Sequence, residues 1–306
     1  LEAIIEKVKN TNKCESTFTI STPCFPYPSG PREYQIAAFE NWKSNTQKGL
    51  FAMATGTGKT ITSLNCLLEI YKKTGCYKAL ILVPTITLVE QWEKECAKFN
   101  FGNVIKVCSK YSGWQTSLSN IRMLELSNPD NKQSYIIIST YASFIRSDNF
   151  IELNQLPKKK LLLIADEAHN MGSGRIVKRL NDIKYLRRIG LSATPERQFD
   201  EEGNIRLMDF FGCDSSYTFE YSMEEAIQKG ALCKYYYYPH LVKLTDDEMA
   251  EYIELSHRIA KIINREDDDS KEILKRLLLK RKQIIHKARN KKDIFQNILK
   301  EHLNKT

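Results

Sequence analysis

The 306-residue sequence has no apolar stretch of the roughly 18 residues that a membrane-spanning helix needs, so no membrane contact is predicted. Its first residues, Leu1-Glu2-Ala3, lack the basic region followed by a long apolar one that marks a secretory signal peptide. Internal repeats and low-complexity tracts are absent too. With 42% hydrophobic and 27% charged residues, the composition is typical of a soluble globular protein of one large or two ordinary domains.

Zinc-binding patterns are also lacking. The sequence has eight cysteines, and no two of them have the C-x-x-C spacing of many zinc and redox sites. No cluster of cysteine and histidine has zinc-ligand spacing either. We interpret the cysteines as reduced, mostly buried thiols, which predicts a cytoplasmic protein.

The positive charge is unevenly distributed along the chain. The net charge is +9, and from Lys271 onward there are 12 Lys/Arg residues against 3 Asp/Glu, whereas the preceding residues carry 34 of each sign. The basic character is therefore a C-terminal feature. Two interpretations stay open, because these basic helices could contact phosphates or could form the solvated face of a linker.

The clearest pattern present is Met53-Ala54-Thr55-Gly56-Thr57-Gly58-Lys59-Thr60, which ends in the Gly-Lys-Thr of a phosphate-binding loop. Apolar residues precede it and an amphipathic pattern follows it, which predicts a strand, a glycine loop and a helix. Backbone N–H groups of such a loop close around phosphates at a helix N-terminus. Lys59 is expected to reach the β- and γ-phosphates, and the Thr60 hydroxyl to bind Mg²⁺. A chance Gly-Lys-Thr on a helix is the alternative, since Met53 stands where the strict pattern has glycine.

A second pattern, Leu161-Leu162-Leu163-Ile164-Ala165-Asp166-Glu167-Ala168-His169, is an apolar run that ends in two acids. A run that is apolar on both faces suits a buried parallel strand, and acids at its carboxyl end lie where open α/β sheets bind ligands. Asp166 is expected to hold Mg²⁺, directly or through water. Glu167 is expected to orient and deprotonate an attacking water. The alternative is a solvated acidic turn, which the phosphate loop upstream disfavours.

Strand-like and helix-like segments alternate with short loops up to about residue 220, which predicts an α/β fold with a mostly parallel sheet and helices on both faces. Further strands are predicted over 78–83, 104–108 and 135–140, and from 188 into a polar turn. A helix is expected from Pro31, with Tyr34, Ala37, Ala38 and Trp42 on its inner face and with Arg32 and Gln35 pointing elsewhere.

The pattern changes from about Ser222. Ser222–Gly230 is predicted as a short capped helix, and Tyr235–Leu244 as an aromatic β-strand. A helix should begin after Thr245, and one or two basic helices should follow over Ser270–Leu303.

The motifs Met-Ala-Thr-Gly-Thr-Gly-Lys-Thr, Asp-Glu-Ala-His and Gly-Leu-Ser-Ala-Thr-Pro-Glu-Arg together resemble those of superfamily-two helicases and translocases of the DEAH type. The residues at each motif position are most similar to those of one branch, which contains type I and type III restriction motor subunits and xeroderma-type repair helicases. In that branch methionine at position 53 is normal. The resemblance implies a lead-in over 1–30 and a RecA-like ATP-binding domain over 31–221. It implies a linker and the start of a second RecA-like domain over 222–306.

The resemblance also implies cofactors, ATP and Mg²⁺, and a role for each matching residue. Arg32 and Gln35 belong to an adenine-reading motif, Asp166 and Glu167 are the metal and base positions, and His169 stands beside them. The phosphates and Mg²⁺ would be held by Thr55, Gly56, Thr57, Gly58, Lys59 and Thr60. Nucleic-acid contacts and their coupling to hydrolysis would come from Pro84, Thr85, Gln91 (followed by Trp92), Thr140, Ser192 and Thr194. For Thr85 and Thr140 helix capping is the alternative, although one hydroxyl can serve both purposes.

The function implied is that of an ATP-driven motor on duplex nucleic acid, with DNA favoured over RNA. The family needs arginines from a second RecA-like domain, which we do not find in the sequence, so we expect weak or absent turnover by this chain alone. Nuclease or defence subunits are conceivable partners. Two alternatives remain open, a nucleotide-dependent nucleic-acid-binding scaffold without turnover and a P-loop ATPase that acts on a protein.

Overall fold

The structure, a computed structural model, describes residues 22–128, 130–172, 174–196, 200–265 and 267–303. Most of the predicted lead-in over 1–30 lies outside the described residues, and so does Arg197, the last residue of the Gly-Leu-Ser-Ala-Thr-Pro-Glu-Arg motif. The chain divides into two compact units that meet between Lys234 and Tyr235. The domain bounds expected from the sequence, 31–221 and 222–306, stay a prediction.

Seven parallel strands form one sheet in the first unit. The strands are β1 (Lys48–Met53), β2 (Lys78–Val83), β3 (Val104–Val107), β4 (Tyr135–Thr140), β5 (Leu162–Asp166), β6 (Arg187–Ser192) and β7 (Phe219–Tyr221). Their order across the sheet is β3-β4-β2-β5-β6-β1-β7. The predicted parallel α/β fold is confirmed, and β7 is an edge strand that the sequence does not predict.

Helices connect the strands and cover both faces of the sheet. They are α1 (Glu33–Ser44), α2 (Lys59–Thr74), α3 (Ile86–Lys98), α4 (Trp114–Ser127), α5 (Tyr141–Phe144), α6 (Ser147–Leu153), α7 (Gly174–Val177), α8 (Glu201–Phe211) and α9 (Met223–Gln228). Short 3₁₀ turns occupy Ala168–Gly172 and Leu180–Asp182. Successive residues of one strand, such as Leu80 and Ile81, fall into two separate core clusters, because side chains alternate between the faces of a sheet.

Helix α1 differs from its predicted orientation. Gln35, Ala38 and Trp42 are its buried residues, whereas Ala37 is exposed. The prediction was therefore wrong for Ala37 and Gln35. A buried glutamine is tolerated here because its Oε1 accepts a hydrogen bond from the Arg32 backbone N–H at 2.9 Å.

The second unit contains three helices in its described part, α10 (Asp246–Ile262), α11 (Asp268–His286) and α12 (Asn290–Leu303). Thr245 caps α10 through a reciprocal pair of hydrogen bonds with Glu248. The strand predicted over Tyr235–Leu244 is not formed. Its four consecutive tyrosines are 60% to 82% exposed, and a β-prone segment without a neighbouring strand has no ladder of hydrogen bonds to hold it. Within the described ranges, no helix combines the length and the apolar character needed to cross a membrane.

Candidate active site

The predicted site residues lie at the sheet edge that the carboxyl ends of the parallel strands form. Strands β4, β2, β5, β6 and β1 are successive neighbours. Asp166 pairs in register with Leu191, and Ser192 pairs with Ala52. Neighbouring strands are about 4.8 Å apart, so the acids of β5 stand about 10 Å from β1. The acids therefore lie between the glycine loop after β1 and the segments that follow β2 and β4.

The glycine loop is fixed from inside the protein. Gly56 and Gly58 have φ angles of 84° and 80°, the left-handed region that glycine adopts without strain. The Thr57 hydroxyl donates to the Ala54 carbonyl at 2.7 Å, and the Tyr34 hydroxyl donates to the Thr57 carbonyl at 2.7 Å. These two bonds hold the loop in shape at Thr57.

The remaining loop residues face outward or lie at the start of α2. Thr55 and Gly56 are exposed, and Gly58, Lys59 and Thr60 are half-buried. Helix α2 begins at Lys59, so its first backbone N–H groups have no partner within the helix. The loop thus presents free donors and the positive end of a helix dipole to a ligand, which is what phosphate binding requires.

Lys59 is a cation with no paired anion in the part of the chain that the structure describes. Its Nζ donates to the Met53 carbonyl at 3.1 Å, and it forms no ion pair with any residue that the structure describes. Burial lowers the pKa of Lys59, and the charges of Glu167 and Asp166 oppose this shift. The Lys59 ammonium is therefore close enough to Glu167 and Asp166 for an electrostatic interaction, and it can still bind an anion.

Asp166 is buried, with 8% of its surface exposed. Its Oδ2 accepts a hydrogen bond from the Trp92 indole N–H at 2.8 Å, and its Oδ1 accepts one from the Glu167 backbone N–H at 3.0 Å. Burial raises the pKa of Asp166, and the hydrogen bond from Trp92 acts in the opposite direction. Each carboxylate oxygen can accept a second interaction, so a cation could still bind there.

Glu167, His169 and Ser192 are brought together. Glu167 has a φ of 48°, a left-handed conformation that costs a non-glycine residue about 1–3 kcal/mol and that clusters at functional sites. His169 Nδ1 lies 3.5 Å from Glu167 Oε2 and 3.2 Å from Ser192 Oγ. Ser192 Oγ also accepts from the Thr194 backbone N–H at 3.2 Å. A continuous polar path thus joins the end of β5 to the end of β6.

A cavity of about 490 Å³ opens beside the glycine loop. It is lined by residues that include Tyr27, Arg32, Gln35, Gly56, Gly58 and Ile61. Gly58 lies against Gln35, since a Cβ at position 58 would stand 3.5 Å from Gln35 Nε2. A second cavity of about 510 Å³, near Arg122 and the lysines at 158–160, contains none of the predicted site residues, so volume does not distinguish the two.

The residues predicted for nucleic-acid contact share the same edge but differ in exposure. Thr85, Gln91 and Thr194 are exposed, Pro84 is half-buried, and Thr140 is buried. The Thr85 hydroxyl accepts from the Leu88 backbone N–H at 3.4 Å. The Thr140 hydroxyl accepts from the Ser143 backbone N–H at 3.2 Å. Both threonines therefore cap the helices that follow them, as the alternative interpretation expects.

Trp92 and Tyr141 contact Asp166 in a way that the sequence does not predict. Trp92 follows Gln91 in a segment predicted to touch nucleic acid, yet it is buried and donates to Asp166 instead. The Tyr141 hydroxyl donates to the Asp166 backbone carbonyl at 2.8 Å. A buried Trp or Tyr usually finds a hydrogen-bond partner for its N–H or O–H group. This tendency is the one sequence signal that could have suggested the contacts of Trp92 and Tyr141 with Asp166.

A family model described as type III restriction enzyme, res subunit, matches residues 29–197. The match extends from just before α1 to the turn after β6, and it contains the glycine loop and the acids of β5.

Two curated proteins illustrate the similarity. The DNA 3'-5' translocase XPB2 of Sulfurisphaera tokodaii is 30% identical over 224 residues, which cover 72% of this chain and 42% of that protein. The XPB subunit of the TFIIH basal transcription factor complex helicase/translocase of Trypanosoma brucei brucei is 27% identical over 194 residues, which cover 57% of this chain and 18% of that protein. The chain thus spans less than half of either relative.

Among solved structures, the ATP-dependent Type ISP restriction-modification enzyme LlaBIII bound to DNA superimposes with a TM-score of 0.49 and 24% sequence identity. The superposition covers 65% of this chain and 16% of that one.

Proposed function

Because the chain belongs to the type III restriction enzyme res subunit family, we propose that it is the ATP-binding front part of an ATP-hydrolysing motor that moves on or unwinds duplex nucleic acid. The observation that carries the proposal is the placement of Lys59, Asp166 and Glu167 at one sheet edge, beside a left-handed glycine loop. A relative named as a DNA translocase supports DNA over RNA as the substrate.

The residues present fit ATP and Mg²⁺. Phosphates would lie on the backbone of residues 55–60, where Lys59 would neutralise their charge. Thr60 and Asp166 supply the oxygen ligands that Mg²⁺ prefers, and the bound ion would neutralise charge on the β- and γ-phosphates. The adenine would lie in the cavity between Arg32, Gln35 and the glycine loop.

Glu167 would act as the base for hydrolysis. Its partly exposed carboxylate would take a proton from water, whose oxygen attacks the γ-phosphorus in line as the bond to the β-γ bridging oxygen breaks. His169 and Ser192 would hold Glu167 and connect it to the turn that contains Thr194. This connection is the route by which we expect nucleic-acid binding to affect hydrolysis.

Nucleic acid would bind along the ends of β2 and β4, next to the acid strand. Pro84, Thr85, Gln91 and Thr140 are the proposed contacts, mainly to the phosphate backbone, so sequence preference should be low. The exposed Thr85 and Gln91 can make such contacts in the conformation seen here. The buried Thr140 would do so only through its backbone or after a local rearrangement.

A second RecA-like domain is the main partner that we propose, with nuclease or defence subunits as further candidates. The helices of residues 235–303 do not supply it, since their described part contains no strand. An arginine from such a domain is worth about 10³–10⁵-fold in rate, so this chain alone should bind nucleotide and hydrolyse it weakly. A cytoplasmic location belongs to the same proposal, supported by seven free cysteines among the described residues.

Steady-state ATP hydrolysis by the gene product, extended through its second RecA-like domain, tests the proposal. Hydrolysis would be measured without nucleic acid and then with single-stranded DNA, duplex DNA and duplex RNA. Strong stimulation by duplex DNA is expected.

The Glu167→Gln variant is the control, because it keeps the size of the side chain and removes the base. It should bind ATP with Mg²⁺ and lose turnover. If no nucleic acid stimulates hydrolysis, and the variant differs little from the natural protein, then the scaffold alternative replaces the motor.

A further inference from the structure

Asp166 is held by two buried aromatic residues from outside its own strand. Trp92 of α3 donates its indole N–H to the Asp166 carboxylate at 2.8 Å, and Tyr141 of α5 donates its hydroxyl to the Asp166 backbone carbonyl at 2.8 Å. Trp92 is 1% exposed and Tyr141 is 5% exposed. In such a site a hydrogen bond is not weakened by competition with water. We refer to Trp92 and Tyr141 as the aromatic pair.

The two contacts act on different parts of Asp166. The bond from Trp92 orients the carboxylate, because it fixes Oδ2 while the Glu167 backbone N–H fixes Oδ1. The bond from Tyr141 fixes the carbonyl of the peptide that leads into Glu167, whose backbone is left-handed. Together they determine both the direction of the carboxylate and the start of the strained turn.

The aromatic pair also lies close in sequence to both segments proposed for nucleic-acid contact. Thr85 caps α3, which carries Trp92 two turns further along, and Thr140 caps α5, which begins with Tyr141. Each segment therefore reaches Asp166 through one short helix and one hydrogen bond.

We propose that Trp92 and Tyr141 are positioning residues that hold Asp166 in the orientation needed to bind Mg²⁺ with nucleotide. The inference rests on the proposed function, since it takes Asp166 as the Mg²⁺ ligand. Hydrogen-bond partners of metal ligands typically change metal affinity by about 10–100-fold when they are removed. Trp92 contacts the carboxylate itself, so its effect should exceed that of Tyr141, which contacts only the backbone.

The test is the Mg²⁺ dependence of nucleotide binding by the full 306-residue chain, measured with a fluorescent ADP analogue, which requires no turnover. Trp92→Phe should raise the Mg²⁺ concentration for half-maximal binding about tenfold. Tyr141→Phe, which removes a single oxygen atom, should raise it about threefold. The affinity measured with EDTA should stay unchanged in both variants, a separation that general damage to the fold would not produce.

The chain offers matched controls near the amino ends of the strands. Trp42 is fully buried and donates its indole N–H to the Arg188 carbonyl at 2.9 Å, and Tyr185 is fully buried and donates to the Leu153 carbonyl. Trp42→Phe and Tyr185→Phe remove the same atoms as the test variants, away from Asp166. They should leave the Mg²⁺ dependence within about twofold of the natural chain.

Failure of the proposed nucleotide binding and failure of the role of Trp92 and Tyr141 give different results in this test. If the natural chain binds no nucleotide with Mg²⁺, the proposed function fails and the inference fails with it. If the natural chain does bind, and the aromatic pair variants behave like their controls, only the inference is overturned. Should Trp92→Phe fail to fold, as judged by circular dichroism, Tyr141→Phe decides the matter, because removing one oxygen leaves no large cavity.

Discussion

The amino ends of the parallel strands form the amino edge of the sheet, where the buried cation Lys78 pairs with Glu125, whose side chain is 9% exposed. Lys78 also donates to the Asn131 backbone and side chain. At the carboxyl edge of the same sheet, among the described residues, Lys59 donates only to a carbonyl and the Asp166 carboxylate accepts only from N–H donors. Both edges bury charge. At the amino edge Glu125 neutralises Lys78, whereas the charges of Lys59 and Asp166 at the carboxyl edge are left for a ligand.

Two arginines at the amino edge have neutral partners, but the fold occupies their donors. Arg188 donates to the carbonyls of Tyr185 and Phe210, and Arg187 donates to Gln47 and to the Lys160 carbonyl. Burial lowers the pKa of both guanidinium groups. Their donors are occupied by the fold itself. The amino edge should therefore matter for stability and the carboxyl edge for binding.

The largest expected effect is the loss of the buried pair at the amino edge. Glu125→Gln keeps the shape and leaves Lys78, which is 1% exposed, without a charged partner. Breaking a buried pair costs about 3–5 kcal/mol, and we expect about 3 kcal/mol because the amide oxygen can still accept a hydrogen bond. Urea unfolding would measure the loss. Nucleotide affinity of the folded variant should be unchanged, and a weakened affinity would contradict the division between the edges.

The matching change at the carboxyl edge is Lys59→Ala. It removes a half-buried cation that pairs with no carboxylate among the described residues, so the unfolding free energy should change by less than about 0.5 kcal/mol. Nucleotide affinity should fall about 10–100-fold, since charged hydrogen bonds to phosphate are lost. Lys73→Ala, at the far exposed end of α2, is the control and should alter neither quantity. A large loss of stability with unchanged affinity would reverse the assignment of Lys59.

The dependence of Mg²⁺ binding on pH provides a third test at the carboxyl edge. Burial raises the pKa of Asp166, so protons should begin to compete with Mg²⁺ at a higher pH than for an exposed aspartate. The Mg²⁺ concentration for half-maximal nucleotide binding should therefore rise as the pH falls. Lowering the pH has the opposite effect on the metal-free chain, to whose stability Asp166 should contribute more as the pH falls.

That contribution is fully present below the unfolded pKa of about 3.9 and is lost as the pH rises through the folded pKa. Mg²⁺ titrations and urea unfolding of the metal-free chain, each as a function of pH, would check both signs. Asp166→Asn, which cannot titrate, is the control in both. Mg²⁺ binding that is independent of pH in the natural chain would contradict Asp166 as the ligand.

The two edges also differ in how much of each could be predicted from the sequence. The predicted bounds of β2 and β4 agree with the structure at both ends, because each is an apolar run closed by turn-forming residues. The glycine loop and the acids of β5 were predictable for the same reason, since their function depends on residues adjacent in sequence.

Contacts between distant residues were not predictable. Trp92 and Asp166 are 74 positions apart, and no local pattern shows that the indole points at the carboxylate. Lys78 was interpreted only as the start of a strand, although its buried partner Glu125 lies on another element. The strand expected over Tyr235–Leu244 failed because a β-prone sequence forms a strand only where a neighbour pairs with it.

The smallest expected effect comes from an ion pair that belongs to neither edge. Glu69 and Lys72 of α2 pair at 2.7 Å, but their side chains are 30% and 57% exposed. Glu69→Gln should change the unfolding free energy by less than about 0.5 kcal/mol, because solvent screens an exposed pair and both side chains lose entropy in forming it. Urea unfolding beside Glu125→Gln would make the comparison direct, since both substitutions replace a paired carboxylate by an amide. Equal losses in the two variants would mean that charge pairing in general, and not burial at the amino edge, determines how these pairs stabilise the sheet.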